Sequence, residues 1–319
     1  MTPTYAKFKN ITKYSDTQVL SELENNLKYY LDWAFLTIGA WTDINIGTTS
    51  GYSGDSSKLR YVVDPNYTNG RVWQGFKKDW VYESGVNFPE GTGNYNPVQI
   101  SGVQVNGVFQ TGGYYIDYHN GSVVFDAPIA TTSTVKLNYS YRDTQVIVAD
   151  NASWWTELQS LTDAADLHFT QSTQTGDWSL GTHTRIQMPC IVVEATPRGR
   201  SYAYEMGNSS LWIEQDVVFH VLAQDRNTRN KLVSILEVQN DHNIWLFDSD
   251  IISSSGVAPL NYRGELVNQL NYPDIVSNEL YQWKLCRFKN IEMFNVASVN
   301  PRLYEGAVKV TCELPFGSA

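Results

Sequence analysis

The stretch from Cys190 to Asp248 constrains this chain more than any other, because its apolar period changes twice. Ile191-Val192-Val193-Glu194-Ala195 is a short β-rich run, closed by the turn Pro197-Arg198-Gly199-Arg200. Leu211 to Ala223 reads as a long strand with alternating character at its start. From Asp225 to Val238 the apolar Leu232, Ile235 and Leu236 fall at helical spacing, against polar Arg226, Arg229 and Lys231. Asn243-Ile244-Trp245-Leu246-Phe247-Asp248 returns to a strand. Period two places alternate side chains on one sheet face, and period 3.6 aligns a stripe along one helix. The double switch therefore predicts an α+β unit.

Two further helices flank a β-rich block. Ser15-Asp16-Thr17-Gln18 fits a capping box, followed by Val19, Leu20, Leu23, Leu27, Tyr30 and Leu31 on one face and Gly39 as a stop. Asn151 to Phe169 repeats the pattern through Trp155, Leu158, Leu161, Thr162 and Ala165, with Asp163 and Asp166 opposed. Between them run short alternating segments and three Asn-Gly pairs, Asn69-Gly70, Asn106-Gly107 and Asn120-Gly121. Such pairs predict tight hairpins, with Asn120-Gly121 in a type I′ turn. Residues 85–97 and 171–182 read as loops, and 253–278 as irregular. Residues 281–294 predict a strand pair or one bent strand. Ala307 to Leu314 is a clean alternating strand, expected to close the sheet or to augment a neighbour's.

Charge and cysteine content narrow the function. Lys plus Arg is 23 against 33 Asp plus Glu, a formal charge of −10, which argues against a clamp that neutralises nucleic-acid phosphates. Cys190, Cys286 and Cys312 are odd in number and form no CxxC or Cys/His cluster, so they read as buried thiols of a chain folded in a reducing cytoplasm. The N-terminus lacks the apolar region of a signal peptide, and no apolar run approaches the ~20 residues that span a bilayer.

Catalytic and metal signatures are missing. The five histidines, His119, His168, His183, His220 and His242, make no HExxH, and no GxSxG, Walker loop or GxGxxG occurs. Asp248-Ser249-Asp250 lacks the glycine and distal glutamate of a calcium loop and reads as a solvated turn. Trp154-Trp155 suits a sugar platform, although one tryptophan facing a core is the simpler reading, and Asp117 and Asp126 read as framework. The expectation is a non-enzymatic protein with no cofactor. Its candidate subunit or partner interface is the basic set Arg198, Arg200, Arg226, Arg229 and Lys231.

The strand pair, the turn Ala223-Gln224-Asp225-Arg226-Asn227-Thr228-Arg229, the helix and the closing Leu246-Phe247-Asp248 resemble the tail-terminator and neck proteins of long-tailed bacteriophages. In that family an "AxDxxTR"-like turn opens the helix. The run Tyr114 to Phe125 also looks like a hairpin module of phage virion proteins. The resemblance implies an α+β fold: residues 1–45 and 150–319 form a mixed sheet with two packing helices, carrying an inserted antiparallel β domain at 58–149. It implies a virion protein assembled in the host cytoplasm, a homo-oligomeric ring, most often a hexamer, that caps the tail tube and joins it to the head connector. DNA would pass through the lumen without specific binding, and no membrane is involved. Six copies at −10 each carry about −60, a field that repels DNA if the acidic residues face inward. Two other readings stay open: another connector, collar or baseplate component, and a carbohydrate-binding or depolymerising tail protein suggested by the Trp and Tyr content.

Overall fold

The computed structural model describes residues 18–47, 54–90, 93–160, 170–171, 177–203, 210–294 and 303–316. Strand outweighs helix, 43% against 20%, so the chain is an α+β protein built mainly of sheet. A six-stranded mixed sheet organises it, in the order Gln145–Val148, Cys190–Ala203, Leu211–Ala223, Tyr304–Phe316, Gln282–Phe294, Asn243–Phe247. Gln145–Val148 runs parallel to Cys190–Ala203, and all other neighbours are antiparallel. The C-terminal strand is therefore central, paired on both sides, and has no edge with which to augment a neighbour. Gln282–Phe294 is one strand, bent by an irregularity between Phe288 and Asn290.

Helices α1 (Val19–Thr37), α2 (Ser153–Ser160) and α3 (Arg226–Glu237) cover the sheet. On one face Leu23, Leu27, Leu31 and Phe35 of α1 and Leu232 and Leu236 of α3 pack against Ile191, Val193, Phe219, Val308 and Val310. These are alternate residues of the strands, which is why the period-two runs and the 3.6-period helices interlock. On the opposite face, at the Cys190 end only, Trp154, Trp155 and Leu158 pack on Val192 and Leu222, together with Trp178, Leu180 and Ile186. Both neighbouring tryptophans are thus core residues, and the sugar-platform reading of Trp154-Trp155 is withdrawn.

Local chemistry sets the ends of the helices. Asp225 caps α3 by accepting from Thr228 N at 2.8 Å and Thr228 Oγ1 at 2.6 Å. Gly39, at φ +78°, ends α1: its N–H donates to Leu36 O and that of Ala40 to Phe35 O, each at 3.0 Å, a Schellman arrangement. The helix begins at Val19 with Gln18 at the N-cap, and the expected cap Ser15 lies outside the described residues. The continuation of α2 expected at 161–169, with Leu161, Thr162, Asp163, Ala165 and Asp166, also lies outside them.

Several expected loops are ordered. Phe88–Glu90 pairs with Gly93–Tyr95, and Thr170–Gln171, Trp178–Leu180 and His183–Ile186 form a three-stranded sheet. These strands are two to four residues long, too short to show a period. Two short helices, α4 (Ser249–Ser254) and α5 (Tyr272–Val276), border the segment read as irregular, whose residues 255–271 hold no helix. Asp248, expected in a solvated turn, instead caps α4 by accepting from Ile251 N at 2.9 Å.

The β block forms its own core around Trp73, Trp80, Val103, Val123, Leu137 and Tyr139. Its pairings cut across the expected boundaries at 45 and 150. Trp41–Ile44 pairs with Tyr139–Arg142 inside the block, whereas Gln145–Val148 belongs to the main sheet. The Asn120-Gly121 turn is not type I′, because only Gly121, at φ +58°, has positive φ. Tyr114–Asp117 and Ser122–Phe125 pair with Asp117 opposite Ser122, so four residues form the loop. The Asp117 carboxylate holds that loop, accepting from Asn120 N at 3.0 Å and Nδ2 at 2.7 Å. Arg142 anchors the block to α1. Buried to 2% exposure, it lies 2.7 Å from Glu83, 3.4 Å from Asp79 and 3.8 Å from Asp32 of α1.

Candidate functional site

Beyond the part covered by α2, the second face of the main sheet carries charge. Four strands of 13 or 14 residues, about 44 Å long at ~3.4 Å per residue, project there side by side. Period two decides the content of each face. Val217, Val310 and Cys312 turn toward the helices, so Glu214, Asp216, Lys309, Thr311 and Glu313 share the other side.

Those groups are joined into a lattice. Glu214, 4% exposed, is held by Lys289 and Arg200 and accepts from Tyr202 Oη at 3.2 Å. Lys289 also reaches Glu313 at 2.9 Å, and Tyr202 Oη donates to Glu313 at 3.0 Å. Lys309 pairs with Glu292 at 2.7 Å, Thr311 Oγ1 donates to Asp216 at 2.7 Å, and Arg287 pairs with Asp241 at 2.8 Å. Lys289, with Arg200 and Tyr202 behind it, holds the Glu214 carboxyl below the usual carboxylate range. Pairs whose cations reach solvent in this way contribute roughly 0–1 kcal/mol each, so the lattice sets the charge balance of the face more than its stability. A groove of about 340 Å³ runs between Arg198, Glu214, Glu292 and Lys309. Farther along the same face, toward α2, His220 lies 3.3 Å from Glu194 and 3.5 Å from Glu305, with the Trp155 ring 4.6 Å away.

The outer part of this sheet has two open edges. Gln145–Val148 pairs only with Cys190 to Val193, and Glu24 of α1 takes up the Ala195 N–H at 2.7 Å. Among the described residues, the outward edge of 196–203 has no strand beside it. On the far side Asn243–Phe247 pairs only with Gln282 to Arg287, and the edge of 290–294 is likewise open. Edge donors and acceptors without partners are a template for another strand. Pro197 and the register shift between Ala195 and Gly199 interrupt the first edge, a common guard against unplanned pairing.

The basic set expected from the sequence is divided. Arg198 and Arg200 lie on the open 196–203 edge, and Arg198 makes no ion pair among the described residues. Gly199 faces Gln215, eight residues along the strand from Ala223, where the chain turns into α3. That spacing puts Arg226, Arg229 and Lys231 about 27 Å away. Arg229 donates to Glu305 O at 2.9 Å, and its stem covers Gly306. Lys231 lines a separate hollow of about 280 Å³ with Asp143. Glu214, Lys289, Glu313 and Tyr202 were missed. Their signal was a charged i, i+2 stripe on two strands, Glu214/Asp216 and Lys309/Thr311/Glu313, with nothing to say that the strands adjoin.

Among the described residues no group of three or more His, Cys, Asp or Glu is placed to hold a metal ion, and no helix is long and apolar enough to cross a membrane. Comparison of the chain with protein-family models, with curated proteins and with solved structures finds no match.

Proposed function

We propose that this chain is a structural subunit of the neck of a long-tailed bacteriophage, closing into a ring that terminates the tail tube and meets the head connector. The observation that supports this reading is the pair of open edges, 196–203 and 290–294, on opposite sides of one four-stranded array. Strand direction alternates across the array, so the first edge of one copy meets the second edge of the next in antiparallel sense. One such heterologous contact, repeated by rotation, closes a ring with four strands per subunit. Arg198, exposed on the first edge and across the groove from Glu292 of its own chain, then also faces the second edge of the adjoining copy. Helices α1 and α3 cover the outside, and the charged face, with α2 at its Cys190 end, lines the lumen. Because its cations and carboxylates are mutually paired, that wall is close to neutral, in place of the repelling acidic wall expected from net charge alone. DNA would slide past it without a specific grip.

Native mass measurement and negative-stain imaging, alone and with tail tubes, test this reading. Rings, or decoration of tube ends, are expected, and Arg198→Glu is expected to weaken both. A monomer that also ignores tubes overturns it.

A further inference from the structure

A cleft of about 550 Å³ opens where the β block meets α2 and the 178–186 strands, lined by residues that take no part in the charged sheet face. Lys28, Lys78 and Arg185 line it, and Asp79 is the one carboxylate among the lining residues described. Their charges are unequally committed. Lys28 is paired with Asp32 at 2.8 Å, and Asp79 belongs to Arg142 at 3.4 Å. Lys78 is half-buried, yet among the described residues no carboxylate lies within 4.0 Å of its ammonium. Arg185 gives Nη1 to Asn120 O at 3.1 Å and Nη2 to Gly75 O at 3.0 Å, both neutral acceptors, while Asp177 stays 3.9 Å from its Nε.

Two cations thus share one concave wall, Lys78 with no carboxylate within 4.0 Å among the described residues and Arg185 with Asp177 only at 3.9 Å and no hydrogen bond at its Nε. Burial pushes the Lys78 ammonium down to about 8, and Arg185 beside it acts in the same direction. Left empty, this arrangement is electrostatically unfavourable; a bound anion reverses the sign for both groups. The backbone adds a second observation. Asp79 and Arg185, at φ +55° and +58°, occupy the left-handed region that favours glycine, and both line this cleft. Strained backbone held in place by its surroundings is typical of ligand sites. Asn151, Ser153 and Thr184 supply neutral hydrogen-bonding groups, and Trp154 supplies an apolar wall.

We propose that this cleft binds a small polar ligand through an oxyanion, a phosphate or a carboxylate, seated between Lys78 and Arg185. The site is independent of ring formation.

Calorimetric titration of the full chain with inorganic phosphate and, separately, with glucuronate tests it, at constant ionic strength set with chloride. Saturable binding of one or both is expected, and the stronger of the two identifies the head group. Lys78→Gln, which breaks no side-chain ion pair within 4.0 Å among the described residues, is expected to weaken binding about tenfold or more, the loss of one charge-assisted bond. The bound anion is also expected to slow acylation of Lys78 in the unmodified protein by about tenfold, leaving the exposed Lys58 unchanged, as read by peptide mass spectrometry. This second readout stands whether or not the variant folds. Absence of binding by both anions overturns the proposal, as does binding that neither weakens in Lys78→Gln nor protects Lys78.

Discussion

Glu22 offers a sharp test of the packing between α1 and the main sheet. It is 4% exposed, and its carboxylate meets the start of α4. There it accepts from Ser249 Oγ at 2.8 Å, from Ser249 N at 3.2 Å and from Asn26 Nδ2 at 3.2 Å. Burial nevertheless pushes its pKa from 4.5 up to about 7, opposed by the Ser249 bonds and assisted by Asp248 and Asp250. Because the folded pKa is the higher one, the folded state keeps a proton that the unfolded state loses between these values. Stability contributed by the group is present below pH 4.5 and lost as pH rises to 7. A shift of this size costs roughly 3 kcal/mol at pH 8. Glu22→Gln stays neutral throughout but turns an amide toward the Asn26 donor, losing about 1 kcal/mol. The variant should therefore be about 1 kcal/mol less stable than the natural chain at pH 4 and about 2 kcal/mol more stable at pH 8. Asp79, also raised to about 7 by burial, tilts both proteins alike and cancels in the difference. Urea unfolding at the two pH values measures this, with the slope m checked for constancy. A difference of the same sign at both pH values refutes the reasoning.

Three other predictions rest on single contacts. Arg142→Met leaves Glu83, Asp79 and Asp32 buried without their cation and should cost about 3–5 kcal/mol in urea unfolding; a loss below about 1 kcal/mol contradicts the network. Gly121→Ala puts a Cβ 2.5 Å from Lys77 O at φ +58°, and a loss of about 2 kcal/mol or more is expected, read as a lowered Tm. Cys190, Cys286 and Cys312 are buried free thiols, and burial pushes Cys190 and Cys286 upward. None should react with a disulfide reagent faster than the chain unfolds, and one rapidly modified thiol in the native protein would count against that core.

The sequence reveals what one strand or helix decides alone. Leu211 to Ala223, the helical run from Asp225 and the Gly39 stop are legible because each depends on neighbours within a few residues. Adjacency is not. The last strand lies between Leu211–Ala223 and Gln282–Phe294, partners whose identity no local period encodes. The basic set failed for the same reason. Arg198 and Arg226 look close along the chain, but the hairpin that joins them runs out and back, leaving its tip far from α3. Parity assigned Glu214 and Glu313 to one face each, and only the register Glu214 opposite Glu313 makes them neighbours under Lys289. Residues 170–186 escaped because their strands are shorter than any period, and burial of Trp178 does the work of a longer pattern.

The β block enters and leaves the main unit at one point, since Asp143 N–H donates to Ala40 O at 3.0 Å, just after α1 and just before Gln145. A segment with adjoining ends can grow or shrink without disturbing the sheet that carries it. That junction lies at the Cys190 end, where Gln145 pairs with Cys190; the open 196–203 edge lies toward Ala203, while the 290–294 edge, with Phe294 opposite Ala307 and Ala307 opposite His220, lies back toward the Cys190 end on the far side of the sheet. The anion cleft, lined by Gln145 and Arg185, belongs to the junction. Assembly and ligand binding therefore share no side chain, since no residue of 196–203 or 290–294 lines the cleft. Lys78→Gln should leave ring formation intact, and Arg198→Glu should leave phosphate binding intact. Loss of both functions in either variant would mean that the sheet couples the two sites, and the separation argued from their unshared residues would fail.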